Sequence, residues 1–272
     1  MKPAARSLFT AAALGLLCTG ALLAGGCSRA SSDARVATFA MLPDWTGVWR
    51  IDAPPAGLDG YPFIEASVED SGKVQPPPLT VFNLEAPLSA EGRATVESIL
   101  AATQGDPGRT ERGVEGWGYP LMMYCAAPLQ FVITPEETLV FNGYRDIRRI
   151  YTDGRDHPPE EDRWPPTTWG DSVGRWEGDT LVVETIDVRH PRAYFGLAMP
   201  FTEKARYTER LRKVGPDRIE GEMVIEDPGF LAGPMTVKLA YVRETMMDRL
   251  VFDAFSGNRT GFDGELNTIE PP

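Results

Sequence analysis

The groups best suited to proton chemistry lie in the middle of the chain. His157 is one of only two histidines, and an imidazole changes charge near neutral pH, which suits it to general-base work. Asp171 or Asp153 is placed to orient it, and Arg155 or Tyr144 to steady an oxyanion or enolate. A positioned base and a charge stabiliser suffice for cofactor-free proton transfer, so elimination, isomerisation or hydration are the reaction classes this set points to. No cofactor is called for. Gly170-Asp171-Ser172-Val173-Gly174 has glycines around a serine at nucleophile-elbow spacing, but an elbow needs a strand-to-helix turn and both flanks read as β. So few histidines also argue against a zinc site of His and Cys ligands.

A binding function needs no catalyst. Asn142, Tyr144, Asp146 and Arg148 recur at period two and share one strand face, with Leu139, Phe141 and Ile147 on the other. Turned inward, the polar face lines a pocket; turned outward, it is an ordinary solvated face. Trp164 and Trp169 follow in a Pro-rich loop with Asp171, where they offer contact area, while Arg148 or Arg155 anchors a polar group. Such a site takes a small, partly apolar or aromatic molecule. A structural role in the cell envelope is the third reading, and its sign would be a large exposed apolar patch without a pocket.

Strands must position these groups. Leu129 to Ile133 and Thr138 to Thr152 flank the turn Thr134-Pro135-Glu136-Glu137 and read as a hairpin with a long second arm. Trp176-Glu177-Gly178-Asp179-Thr180 has the residues of a tight hairpin turn, Gly and Asp tolerating positive φ. Further strands are expected over Thr180 to Val188, Lys204 to Val214, Asp217 to Glu226, Met235 to Glu244 and Arg249 to Phe255. Only Ser89 to Thr103 reads as a helix, with Ser89 as its cap and Gly105 and Pro107 beyond its end. Pro54 to Pro87 reads as an extended loop. The expected fold is therefore mainly β: one domain over residues 44–272, an antiparallel barrel or a sandwich, with one short helix and long Pro-rich loops.

Two stretches carry resemblances. Gly47-Val48-Trp49 is similar to the Gly-x-Trp that opens lipocalin-like (calycin) barrels, in which the tryptophan plugs the barrel floor. Arg148-Arg149-Ile150-Tyr151-Thr152-Asp153-Gly154-Arg155-Asp156-His157-Pro158, with Gly170 to Thr185, resembles a large family of exported bacterial proteins. That family is marked by R-R-I-Y-x-D-G-R-x-H-P and G-x-S-x-G-x-W-E-G-D-T-L-V-V-[DE]-T. The likeness runs from about Gly118 to Asp227 and implies no particular activity. Many members have Pro-His-Ser where this chain has Met199-Pro200-Phe201-Thr202, so a role for that second histidine is lost here or has passed to His190.

The start of the chain concerns address. Lys2 and Arg6 precede an apolar run from Leu8 to Leu23, which ends in Leu22-Leu23-Ala24-Gly25-Gly26-Cys27. This resembles a bacterial lipoprotein signal over residues 1–26, in which Cys27 becomes the acylated first residue of the mature chain; an ordinary cleaved secretory signal is the plainer alternative. Ser28 after the cysteine implies the outer membrane, on the periplasmic side. Residues 27–43 are small and polar and read as a flexible tether. A net charge of -12 argues against nucleic acid as a partner and against electrostatic docking on anionic lipid, so attachment falls to the acyl chains. Of three cysteines, Cys18 leaves with the signal and Cys27 is acylated. Cys125 is left without a partner and reads as a buried structural thiol.

Overall fold

The computed structural model describes residues 29–52, 78–81, 83–102, 117–124, 127–143, 146–189 and 198–250. Nine strands close into a barrel in chain order: β1 (Val48–Ile51), β2 (Leu129–Ile133), β3 (Glu137–Asn142), β4 (Ile147–Tyr151), β5 (Asp171–Glu177), β6 (Thr180–Ile186), β7 (Arg206–Gly215), β8 (Arg218–Glu226) and β9 (Met235–Arg243). β9 returns to β1 through Trp49 opposite Arg243. The expectation of barrel or sandwich resolves to a barrel.

An odd number of strands sets one topological condition. Directions that alternate around a ring cannot meet consistently when the count is odd, so one neighbouring pair must be parallel. That pair is β4 and β5, which touch at Tyr151 and Val173. Parallel neighbours cannot be joined by a tight turn. The chain therefore leaves β4, crosses over through residues 152–170, and enters β5 from the other end. This crossover carries His157, Trp164 and Trp169.

The long second arm expected over Thr138 to Thr152 is two strands. Asn142 and Asp146 fold the chain back on itself: the Asn142 amide donates to the Asp146 carbonyl at 3.2 Å, and the Asp146 amide donates to the Asn142 side chain at 3.2 Å. Gly178 has φ of 65° and, with Asp179, turns β5 into β6 as the sequence indicates. The expected strand over Arg249 to Phe255 is absent at residues 249–250; the rest of it lies outside the described residues.

Two α-helices accompany the barrel among the described residues. α2 (Ala90–Ala102) matches the expected helix; the Ser89 hydroxyl accepts from the Gly92 amide at 3.0 Å and caps it. Its buried residues are Gly92, Val96 and Ile99, and a Cβ on Gly92 would meet the Phe230 carbonyl at 2.2 Å, so only glycine allows the helix this close. α1 (Arg29–Met41) occupies the segment read as a tether, and Arg35 grips Glu136 with two hydrogen bonds of 2.6 and 2.9 Å.

Among the described residues, strand side chains and a non-strand segment both contribute to the interior. Alternate strand residues point inward, among them Phe131, Val140, Ile150, Tyr207, Leu211, Met223 and Tyr241. Residues 117–124 also enter the core: Tyr119, Met122 and Met123 are fully buried, and the Tyr241 hydroxyl donates to the Met123 carbonyl at 2.6 Å. Trp49 is fully buried, its indole donates to the Trp45 carbonyl at 3.0 Å, and the Arg243 guanidinium covers its ring at 4.6 Å.

Candidate functional site

The crossover is fastened to the outside of the barrel through His157. Its Nδ1 lies 2.7 Å from Asp171 Oδ2, on the first residue of β5. Its Nε2 lies 3.5 Å from Glu184 Oε1 on β6, and that same oxygen accepts from Arg206 Nη1 at 3.0 Å. The imidazole side chain is only 11% exposed. Of the two carboxylates offered as its orienter, Asp171 is the one in contact with the ring. Asp153 is instead held by Arg155 Nη2 at 2.6 Å, and the Arg155 guanidinium stacks 3.9 Å over the Tyr151 ring. Asp153 and Arg155 thus pair with each other.

Beside this pair lies a shallow cleft of about 180 Å³. Its rim is Trp164, 83% exposed, set between Arg163 and Pro165. Thr167, Gly170, Asp171 and Asp187 also line it. Arg163 Nε donates to the Pro158 carbonyl at 3.0 Å and stands 3.8 Å from Asp187 Oδ2. Burial holds the Asp187 carboxyl above the usual aspartate range; Arg163 opposes this and the Asp171 charge adds to it. Asp187 also has φ of 54°, the one non-glycine residue with positive φ among those described. Aspartate tolerates that region better than most residues do.

Backbone pairing holds Thr167 against the end of β6. The Thr167 amide donates to the Asp187 carbonyl at 3.0 Å, and the Arg189 amide donates to the Thr167 carbonyl at 2.8 Å. Gly170 has φ of 71°, and a Cβ there would sit 2.6 Å from the Ile186 carbonyl. Only glycine lets the end of the crossover lie this close to β6. The exposed indole thus projects from a loop whose far end is anchored.

The polar face of the expected long strand does point into the barrel, but it is occupied there by the protein itself. Asn142, Asp146 and Arg148 are all fully buried. Asp146 accepts from the amides of Trp117 and Gly118 at 2.8 and 2.9 Å, from Asn142 Nδ2 at 2.8 Å and from the Trp169 indole at 3.1 Å. Arg148 donates to Ser172, Thr185 and Glu209, and the Tyr119 hydroxyl donates to Glu209 at 3.1 Å. Burial, with the Glu209 charge adding, pushes the Tyr119 phenol far above its ordinary range, so it stays a donor. These contacts hold Arg148, Asp146, Asn142 and Trp169 within the protein, and among the described residues proposed as ligand contacts it is Trp164 that lines the cleft. Ser172 faces inward, away from His157, which removes the elbow geometry.

Arg163, Thr167, Asp187 and Glu184 were not singled out from sequence. Thr167 and Asp187 meet through the crossover pairing that follows from the parallel strand pair, as the isolated bridge between Thr167 and Val188 shows. The one local signal was Asp187, a charge at the end of the run Thr180 to Val188. Asp171 and Glu184 flank opposite nitrogens of His157, so the three do not converge on one ion, and no group of three metal-ligating side chains occurs among the described residues. Tyr144, Cys125, His190 and Cys27 lie outside the described residues. Comparison with protein-family models, with curated proteins and with solved structures finds no match.

Proposed function

We propose that this is an exported, lipid-anchored barrel protein that binds a small, partly apolar or aromatic molecule in the cleft beneath Trp164. One observation carries the reading: a large indole 83% exposed on a crossover that is itself pinned to the barrel. An exposed indole gains nothing for folding, whereas a ring stacked on it gains contact area at little conformational cost. Arg163, Asp171 and Asp187 surround the same recess and can fix the polar end of such a molecule. At about 180 Å³ the recess holds one ring or a short polar group and leaves the remainder of a larger ligand outside. Cys27 would carry the acyl chains, and loss of membrane association in Cys27→Ser tests the address separately.

The direct test is native mass spectrometry of the protein purified from cells that export it. The reading expects a co-purifying small molecule that is lost in Trp164→Ala. Retention of the same molecule by the variant would count against the cleft.

Cofactor-free acid-base catalysis is the second reading, favoured by the 2.7 Å His157–Asp171 contact. In that reading Asp171 orients the ring and Nε2 takes a proton from the substrate. Nε2 is enclosed and faces Glu184, so catalysis would require the ring or Glu184 to move. That requirement places binding first.

A further inference from the structure

His157 sits between two carboxylates that its neutral form cannot satisfy together. A neutral imidazole has one N–H and one lone pair. With the proton on Nδ1, Asp171 Oδ2 at 2.7 Å receives a hydrogen bond, but the lone pair of Nε2 faces Glu184 Oε1 at 3.5 Å. With the proton on Nε2, a lone pair faces Asp171 at the shorter distance. Either tautomer sets a lone pair against an anionic oxygen. Nε2 is also enclosed and makes no hydrogen bond, and a buried polar atom left in that state is unfavourable. Only the doubly protonated ring donates to both carboxylates, and both bonds are then charge-assisted.

We infer that His157 is a proton-operated latch on the 152–170 crossover: a second proton ties the crossover to β6 as well as β5 and steadies the cleft, so that ligand capture strengthens as pH falls. The inference rests on the reading of the cleft as a binding site and concerns its regulation.

The other charged groups around the ring set the size of the effect. Arg206 on β7 already shares the Glu184 oxygen at 3.0 Å and competes for it. Asp187, at the end of β6, lies close enough for its charge to act on His157, and Arg163 stands beside it. Arg155, within the crossover, is committed to Asp153. Glu184 is 46% exposed, so solvent screens the new contact and the gain is modest.

The test is hydrogen exchange of the full chain at pH 7.5 and 5.5, corrected for intrinsic rates, in the wild type, His157→Gln and Glu184→Gln. Protection of residues 152–170 in the wild type should rise roughly three- to tenfold at the lower pH. His157→Gln should lose that response and Glu184→Gln should keep no more than the part that comes through Asp171, while β7 and β8 keep their protection. A wild-type crossover with no pH response, or variants that respond as the wild type does, would overturn the latch. Indole binding, followed by calorimetry at the same two pH values, separates the two levels of the claim. Tighter binding at pH 5.5 supports control of the cleft. A latch seen by exchange with indole bound equally at both pH values overturns that control, and no indole binding at either pH, or binding unchanged in Trp164→Ala, counts against the cleft reading itself.

Discussion

Arg148 on β4 and Glu209 on β7 form an ion pair across the barrel interior, and neither side chain is exposed at all. Ser172, Thr185 and Tyr119 complete the arrangement with hydroxyl groups. Arg148 Nη1 and Glu209 Oε1 are buried without a hydrogen-bond partner. A buried pair with unpartnered atoms gives specificity more than stability, because burying two charges offsets their attraction. Removing one partner leaves the other as an uncompensated buried charge. Glu209→Ala should therefore destabilise the protein by about 3–5 kcal/mol in urea unfolding. The double variant Arg148→Met/Glu209→Leu should be more stable than either single variant, and a double variant as unstable as the sum of its parts would contradict this reading.

Gly170 is where the crossover presses closest to β6. Gly170→Ala combines a positive φ with a Cβ 2.6 Å from the Ile186 carbonyl, so it should cost more than about 1 kcal/mol. Hydrogen exchange should show the loss concentrated in residues 152–170 and in the end of β6. Uniform loosening of the barrel would place the glycine's role elsewhere.

Trp164 contributes little to folding if its ring serves a ligand. Trp164→Ala should change stability by less than about 0.5 kcal/mol. A loss well beyond that value in thermal or urea unfolding would mean the indole packs against the protein, contrary to its exposure.

Asp187 gives a pH dependence with a definite sign. Its carboxyl is held above its ordinary value by burial, so the folded state keeps this proton more tightly than the unfolded chain does. Its contribution to stability is present at low pH and is lost as pH rises from the ordinary aspartate value through the raised one. Asp187→Asn removes that loss, and asparagine also accepts positive φ. The variant should be more stable than the wild type at pH 7, by a margin that shrinks toward pH 3.5. Urea unfolding across that range measures it, and a margin independent of pH would assign the gain to backbone conformation alone.

Local chemistry made much of the fold legible. Gly178 and Asp179 announced the β5–β6 turn, Ser89 announced the start of α2, and period-two alternation located most strands to within a few residues. Of Asp171 and Asp153, both offered as neighbours of His157, it is Asp171 that contacts the ring, and it begins β5 where the sequence placed it in a loop. What local chemistry could not reach depended on closure. Alternation put Asn142, Asp146 and Arg148 on one face, but not residues 117–124 inside the same barrel, whose amides and phenol occupy that face. Arg163 and Asp187 meet because an odd ring forces a parallel pair and a crossover, and that is a property of the whole ring. The helix at Arg29–Met41 was missed because its apolar positions, Val36, Phe39 and Met41, are exposed and leave no buried stripe to detect.

Binding in the cleft can be read from the indole N–H signal of Trp164. This signal can be assigned with Trp164→Phe and followed in two-dimensional NMR while a panel of small ring compounds is added. The account predicts that some members shift the Trp164 indole together with the amides of Thr167, Asp171 and Asp187, and that Trp164→Ala abolishes the shifts of those amides. Compounds that bind while leaving these four signals still, or a panel that moves none of them, would contradict it.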